Sequence, residues 1–382
     1  MNKARSPLRV TVLLVVAMLI LGACAGSAPQ DSASLLFGVG APLTGEDAQY
    51  GYWLQRGIEL AAREINNSGG VNGREIKFEY GDDRCNAVDA AFVAQRFASN
   101  PDIVAIIGHV CSSATLATGT IYEKAGLTHI TPGSTNPAVT TQGWARQFRT
   151  TPHDGLQGPQ MARLAIERLG KSRLGILYGT EDYAVGLLES MRPAIDELHG
   201  EITALETFTP GDKDFSPQLT KIAEAGPDVL IFLGHYAEGG LVAQQRIGAG
   251  LGDIPFLCPD GCQQPGFIDL GGQGAEGALM LVYYDYTDPN PDNQRFVQAY
   301  REAYANETPV DQGPYGYWLV YLLKQAFEQG ATRESLPDVL HKVEFMNATG
   351  LSRFDSTGDL DAGALQMPVV TVKSGEFVAW TP

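Results

Sequence analysis

Residues 106–118 read IIGHVCSSATLAT and bring His109, Cys111, Ser112 and Ser113 into one short turn. Such a set has two chemical uses. A hydroxyl or thiol can attack a carbonyl when a neighbouring base takes its proton, or hydroxyls and unpaired backbone N–H groups can cradle an anion without reacting. The catalytic use has requirements that this stretch does not meet. A serine hydrolase of the α/β type carries its nucleophile in G-x-S-x-G, and this turn reads H-V-C-S-S-A. A thiol enzyme needs a free thiolate, whereas in an exported chain Cys85 is available to bind Cys111 as a disulfide. His109 precedes the turn by too little chain to fold back as a base. A cradle is therefore the main reading, and a hydrolase using Ser112, Cys111 or His109 is the lesser alternative.

Other constellations are incomplete. Gly38 and Gly40 are followed by Leu43, which breaks the G-x-G-x-x-G fingerprint of a dinucleotide site. Cys258 and Cys262 form a lone C-x-x-x-C, and no His pair has H-E-x-x-H spacing, so neither a cofactor nor a metal is expected.

The elements that would position the turn are legible as an alternation of β-rich runs and helical patterns from Leu35 onward, the signature of a parallel sheet covered by helices. LLFGVGAPL is a strand, and YWLQRGIELAAREINNSGG has Leu54, Ile58, Ala61, Ala62 and Ile65 at helical spacing before a Gly pair. The cycle continues through DIVAIIGH, a strand, and SSATLATGTIYEKAG, a helix. Ser112 and Ser113 thus fall at a helix start, where one hydroxyl would cap the helix and the free N–H groups would also suit a carboxylate. A second series begins near Asp154 and ends with a strand at 278–285. Helices follow around 293–304, 316–329 and 335–343, then short strands at 351–354, 366–372 and 377–380. Two similar α/β lobes are the expected architecture.

Length and charge agree with an exported binding module. MNKARSPLRVTVLLVVAMLILGAC has a basic start and an apolar run too short to span a bilayer, as in a signal peptide. It ends in Leu21-Gly22-Ala23-Cys24, which resembles a bacterial lipobox with Cys24 as the lipidated first residue; a plain Ala-x-Ala cleavage site is the competing reading. Residues 1–23 would be removed and 24–33 would form a polar tether. The 382-residue chain carries a formal charge of −17, and losing the three basic residues of the leader takes it to −20, which argues against nucleic acid as a partner. Four cysteines besides Cys24 can pair in three ways. The sequence-local choice joins Cys258 to Cys262 and leaves Cys85 with Cys111.

The stretches APLTGEDAQYG, NNSGGVNGREIKFEYGDDRC, GHVCSSATLATGTIYEKAG, ITPGSTNP, RTTPHDGLQGP, YGTEDYAVG, GDKDFSPQLTKI and LCPDG, in this order, resemble the periplasmic Leu/Ile/Val-binding proteins, the branched-chain amino-acid substrate-binding components of ABC transporters. The resemblance implies a non-enzymatic, two-lobed type I periplasmic-binding-protein fold, each lobe a mostly parallel sheet flanked by helices, with three crossovers and hinge closure on a ligand. Residues 34–153 plus 286–350 would form one lobe and 154–285 plus 351–382 the other. It puts the ligand carboxylate on Ser112 and local N–H groups, with Thr135 in the Gly133-Ser134-Thr135 segment, and the ammonium on Thr135 and the carbonyl around Gly133. Tyr183 and Tyr236 would reach across from the second lobe, and Tyr50 would form a pocket wall. The family's disulfide matches Cys85 and Cys111. One departure is Asp260 in CPDGC, where the family commonly has Glu for the ammonium; Asp keeps the charge on a shorter side chain. The implied function is capture of an amino acid, expected to be branched-chain aliphatic, by a monomer that delivers it to a membrane permease. A ligand sensor for amides or other small amino compounds is the alternative from a different class.

Overall fold

The structure is a computed structural model that describes residues 34–310, 312–361, 363 and 365–381. The expected signal peptide, Cys24 and the tether to residue 33 lie outside the described residues. No helix among the described residues is long and apolar enough to cross a membrane.

The chain runs through β1 (Leu35–Ala41), α1 (Ala48–Asn67), β2 (Ile76–Asp82), α2 (Ala87–Ser99), β3 (Ile103–Gly108), α3 (Ser112–Ala125), β4 (His129–Thr131), α4 (Ala138–Thr141) and β5 (Gln147–Arg149). It crosses into α5 (Asp154–Arg163), β6 (Arg173–Gly179), α6 (Asp182–Glu197), β7 (Glu201–Phe208), α7 (Ser216–Glu224), β8 (Val229–Leu233), α8 (Tyr236–Gly248), β9 (Phe256–Cys258), α9 (Pro265–Gly271) and β10 (Leu279–Leu281). Then come α10 (Pro291–Ala303), α11 (Gln312–Glu328), α12 (Leu336–Leu340), β11 (Phe345–Asn347), β12 (Gly350–Ser352), β13 (Val369–Lys373) and β14 (Glu376–Ala379).

Two large sheets result, one in each lobe, beside a two-stranded β11-β12 sheet. The first has strand order β2-β1-β3-β4-β5, all parallel. The second repeats that winding as β7-β6-β8-β9-β10 and adds β13 and β14 antiparallel at one edge. Strands covered on both faces read as unbroken apolar runs, and the central β8, VLIFL, is buried throughout. The edge strand β7, EITALETF, is fully buried only at Phe208 and carries four polar residues, Glu201, Thr203, Glu206 and Thr207. In the first lobe α11 lies against α1, and the approach needs glycine: a Cβ on Gly57 would stand 2.0 Å from the Gly313 carbonyl oxygen.

Three crossings join the lobes: between β5 and α5, between β10 and α10, and between β12 and β13. The first and third are tied together by a buried ion pair. Arg149, fully buried at the end of β5, donates from Nε to Asp359 Oδ1 at 2.9 Å and from a terminal nitrogen to Oδ2. Burial alone would raise the Asp359 pKa, but the Arg149 hydrogen bond and charge hold it below the ordinary carboxylate value.

Two expectations change. The strand expected over 278–285 stops at Leu281: the Val282 N–H still reaches the Pro368 carbonyl of the β13 side, but proline has no N–H to return and the ladder ends there. Strand β5 was not expected, since its QFR holds a glutamine and an arginine in three residues.

Candidate functional site

In an open parallel sheet, ligands bind beyond the carboxyl ends of the strands where the strand order reverses. Both sheets reverse next to β1 and β6, and their carboxyl ends face one another across the gap between the lobes. Tyr50 follows β1, Cys111 and Ser112 follow β3, and Gly133 to Thr135 follow β4; from the other lobe Tyr183 follows β6, His235 follows β8, and Asp260 and Gly261 follow β9. Tyr50, Val110, Cys111, Ser112, Gly133, Tyr183, His235, Asp260, Gly261 and Gln312 line a small cavity of about 20 Å³. A larger, open groove along the rim is lined by Trp53, Tyr286 and Phe377, and none of Ser112, Thr135 or Asp260 borders it.

The turn that raised the question of catalysis is inert. Cys85 and Cys111 are disulfide-bonded, with Cα atoms 5.3 Å apart, so Cys111 offers no thiolate. These sulfurs and His235 lie within 4.8 Å of one another, but sulfurs bonded to each other are not thiolate ligands for a metal. His109 is fully buried with Nδ1 2.6 Å from Asp83 Oδ2 and Nε2 3.0 Å from the Tyr122 hydroxyl, so both ring nitrogens are engaged away from Ser112.

The cap of α3 also differs from expectation. Cys111, not a serine, is the N-cap, and its sulfur makes no capping bond. Ser112 is the first helical residue, and its Oγ accepts from the Asn136 N–H at 3.3 Å. The first N–H groups of a helix have no intrahelical acceptor, so this end of the cavity presents donors and the positive end of the helix dipole, worth ~0.3–1 kcal/mol to an anion and up to ~2 when partly buried. Ser113 turns to the other lobe and accepts from the Asp182 N–H at 3.2 Å.

The opposite end is acidic. Asp260 is buried, and its Oδ1 accepts a hydrogen bond from the Tyr183 hydroxyl at 2.6 Å. Burial raises its pKa to about 6, against the lowering effect of the bonds from Tyr183, Gln157 and the Gly261 amide. Asp154, fully buried at the start of α5, is pushed well up by burial and by the nearby Asp260. Its backbone N–H donates to the Thr135 carbonyl at 2.8 Å, which places it beside the cradle. Arg149 is committed to Asp359 and offsets the Asp154 charge only in part and from a distance. For His235 burial alone would lower the pKa, but Asp47, Glu181, Glu238 and Asp260 outweigh it and raise it. The site thus pairs a donor-rich end with an anionic end, which suits a guest of opposite polarity at its two poles.

Of the residues expected from sequence, Tyr50, Ser112, Gly133, Tyr183 and Asp260 line the cavity. Thr135 is buried and does not line the cavity; its hydroxyl faces the Asp154 carboxyl. Ser134 is not at the surface of the cavity: its hydroxyl is shared with Thr115 at 2.5 Å and bonds the Val110 carbonyl at 3.0 Å, bracing the turn. Tyr236 also lies outside the lining, because its hydroxyl crosses the gap to donate to the Glu46 carbonyl and accept from the Gln49 N–H. The preceding residue, His235, takes the wall position, with Nδ1 3.2 Å from the Tyr50 hydroxyl. A bridge between Cys258 and Cys262 is not formed; both are free, buried thiols. Cys258 ends β9 and Cys262 lies in the following 3₁₀ turn, its sulfur 3.8 Å from the Gly234 carbonyl and beside the Cys258 thiol. Sequence reasoning missed His235, which the strand-end rule applied to β8 finds, and Gln312, for which no local signal exists.

The comparisons with known proteins agree with the two-lobed fold. The family model described as "Periplasmic binding protein" matches residues 35–376. The chain is 31% identical over 355 residues to the Leu/Ile/Val-binding protein homolog 1 of Brucella suis biovar 1, covering 92% of this chain and 94% of that one. It is 30% identical over 349 residues to the leucine-, isoleucine-, valine-, threonine-, and alanine-binding protein of Pseudomonas aeruginosa, covering 91% and 92%. The crystal structure of a leucine binding protein from Thermotoga maritima superposes with a TM-score of 0.84 at 30% identity, covering 91% of this chain and 98% of that one.

Proposed function

This chain belongs to the periplasmic binding protein family, the extracytoplasmic, non-enzymatic substrate-binding proteins of ABC transporters, and on that premise we propose that it captures an α-amino acid as a zwitterion between its two lobes. The observation that carries the proposal is the convergence, on one cavity, of the α3 N-terminus with Ser112 and the buried carboxyl of Asp260 from the other lobe. A buried zwitterion is costly unless each pole meets partners. The α3 amides, Ser112 and Thr135 serve the carboxylate; Asp260, Thr135 and the Gly133 carbonyl serve the ammonium.

Residues 34–153 with 286–350 form one closing body and 154–285 with the C-terminal strands the other, the third boundary moving past Ser352 because β12 pairs with β11. The ligand touches both only when the gap is shut, so binding shifts the population toward the closed state. Cys24 anchors the mature protein by lipid on the outer side of the membrane, where it hands its guest to the permease. The relatives named for leucine, isoleucine and valine support a neutral amino acid, with a branched aliphatic side chain as the family-level expectation.

The test is calorimetric titration with an amino acid set and, for each binder, its analogue lacking the amino group and its analogue lacking the carboxyl group. Each truncated analogue binds at least about tenfold more weakly. Equal affinity for either truncated partner would remove the two-pole site.

A further inference from the structure

Beyond the two poles, the side chain of a bound amino acid must meet the rest of the cavity wall, and that wall is short of aliphatic carbon. Val110 is its only branched aliphatic residue; the others available to a side chain are Tyr50, Tyr183, His235 and Gln312. Tyr50 and His235 are partly matched within the wall: the Tyr50 hydroxyl donates to the Gly261 carbonyl at 2.5 Å and stands 3.2 Å from His235 Nδ1. The His235 ring stacks on Tyr183 at 5.2 Å between centroids and 29° between planes.

Gln312 is different. It is 4% exposed, and its amide oxygen has no hydrogen-bond partner among the described residues. Its Cγ lies 3.5 Å from where a Cβ on Gly133 would stand, so the amide is held at the wall next to the cradle. A buried polar atom without a partner is destabilising. An aliphatic side chain closing over it would leave it so, whereas a guest group that donates would satisfy it.

We propose that this cavity selects amino acids whose short side chain carries a hydroxyl or carboxamide, received by the Gln312 amide, over branched aliphatic ones of the same shape. The inference rests on the zwitterion reading and refines it. It holds whichever way the Gln312 amide is turned, because hydroxyl and carboxamide groups both donate and accept.

The test uses isosteric pairs on the purified, extensively dialysed protein: threonine against valine, which exchange a hydroxyl for a methyl, and asparagine against leucine. The polar member of each pair binds about tenfold or more tightly than the apolar one, since a site built to bond a group rejects the analogue lacking it. In Gln312→Leu the ratio falls toward one or inverts. Valine and leucine binding as tightly as their polar partners would overturn the proposal while leaving the zwitterion reading intact. A Gln312→Leu protein that loses affinity equally for threonine and valine would also overturn it, by placing the amide on the shared ammonium. If no amino acid binds, both readings fall together. Should Gln312→Leu not fold, the ratios measured on the parent protein decide alone.

Discussion

The Tyr183 hydroxyl stands between two groups of the Asp260 turn, donating to Asp260 Oδ1 at 2.6 Å and accepting from the Gly261 N–H at 3.3 Å. It holds the carboxyl toward the cavity. Asp260→Asn keeps the shape of the side chain and removes its charge. Truncating one partner of a buried charge pair costs about 2–5 kcal/mol of affinity, so amino acid binding falls by at least about thirtyfold. The ligand-free protein melts no lower than the parent at pH 7, because an ionised buried acid has been removed. A variant that binds as well as the parent would show that the ammonium sits elsewhere.

The same carboxyl sets a pH dependence. With a pKa of about 6 in the folded protein against an ordinary 3.8, Asp260 holds its proton more tightly folded than unfolded. Its contribution to stability is therefore present below about pH 4 and is lost as pH rises through about 6. Affinity runs the other way, because the ammonium needs the anion. Amino acid affinity is level above pH ~6 and falls by up to about tenfold per unit below it, and Asp260→Asn flattens that slope. Titrations between pH 4.5 and 8, on both proteins, check the sign.

Ser112 offers one hydroxyl to the carboxylate pole, and hydrogen bonds to charged groups are worth about 1.5–3 kcal/mol. Ser112→Ala consequently weakens binding by about ten- to hundredfold. Its folded-state partner is a single 3.3 Å bond from the Asn136 N–H, so Tm moves by no more than about 2 °C. If Ser112→Ala and Asp260→Asn both bind normally, the cavity named here is not the ligand site.

What could be read ahead of the structure follows strand ends. Tyr50, Ser112, Gly133 and Asp260 each stand after an apolar run long enough to recognise as a strand. The same rule reaches His235, yet resemblance assigned the wall to Tyr236, one residue along, where the start of a helix turns the ring to the Glu46 carbonyl. Gln312 follows no strand; it arrives after the second crossing, and its place beside Gly133 is a contact between segments far apart in the chain. Strand β5 was hidden because an arginine suggests solvent, and Arg149 is buried only because Asp359 comes from the third crossing to meet it. The C-x-x-x-C spacing invited a bridge that the local turn does not form.

Disulfide and thiol counting separates the two cysteine pairs. Cys85 and Cys111 are 26 residues apart, and closing a loop of that size stabilises by about 3–4 kcal/mol in the chain-entropy account. Reduction lowers Tm by several degrees and weakens binding, since the bridge anchors Cys111 immediately before the α3 N-terminus. In denaturant without reductant, alkylation labels two thiols besides any at Cys24; a Cys258–Cys262 bridge would leave none.

Closure itself has a steric test at Gly186. Asn136, from the first lobe, donates from Nδ2 to the Asp182 carbonyl at the start of α6 at 2.5 Å, and a Cβ on Gly186 would stand 2.3 Å from that nitrogen. Within an isolated helix Gly→Ala is stabilising by roughly 0.5–1 kcal/mol. Gly186→Ala should therefore leave the open, ligand-free protein as stable as the parent or slightly more so, while straining only the state in which the lobes meet. Binding weakens about tenfold, since a clash shared by no open conformation shifts the closing equilibrium alone. In the double variant Asn136→Ala with Gly186→Ala the clash has no partner, and affinity returns to that of Asn136→Ala by itself, the coupling expected of residues in contact. Small-angle scattering with saturating amino acid reads the same change as a larger radius of gyration for Gly186→Ala than for the parent. Unchanged affinity in the single variant would mean that the lobes do not meet at this contact when the ligand is bound.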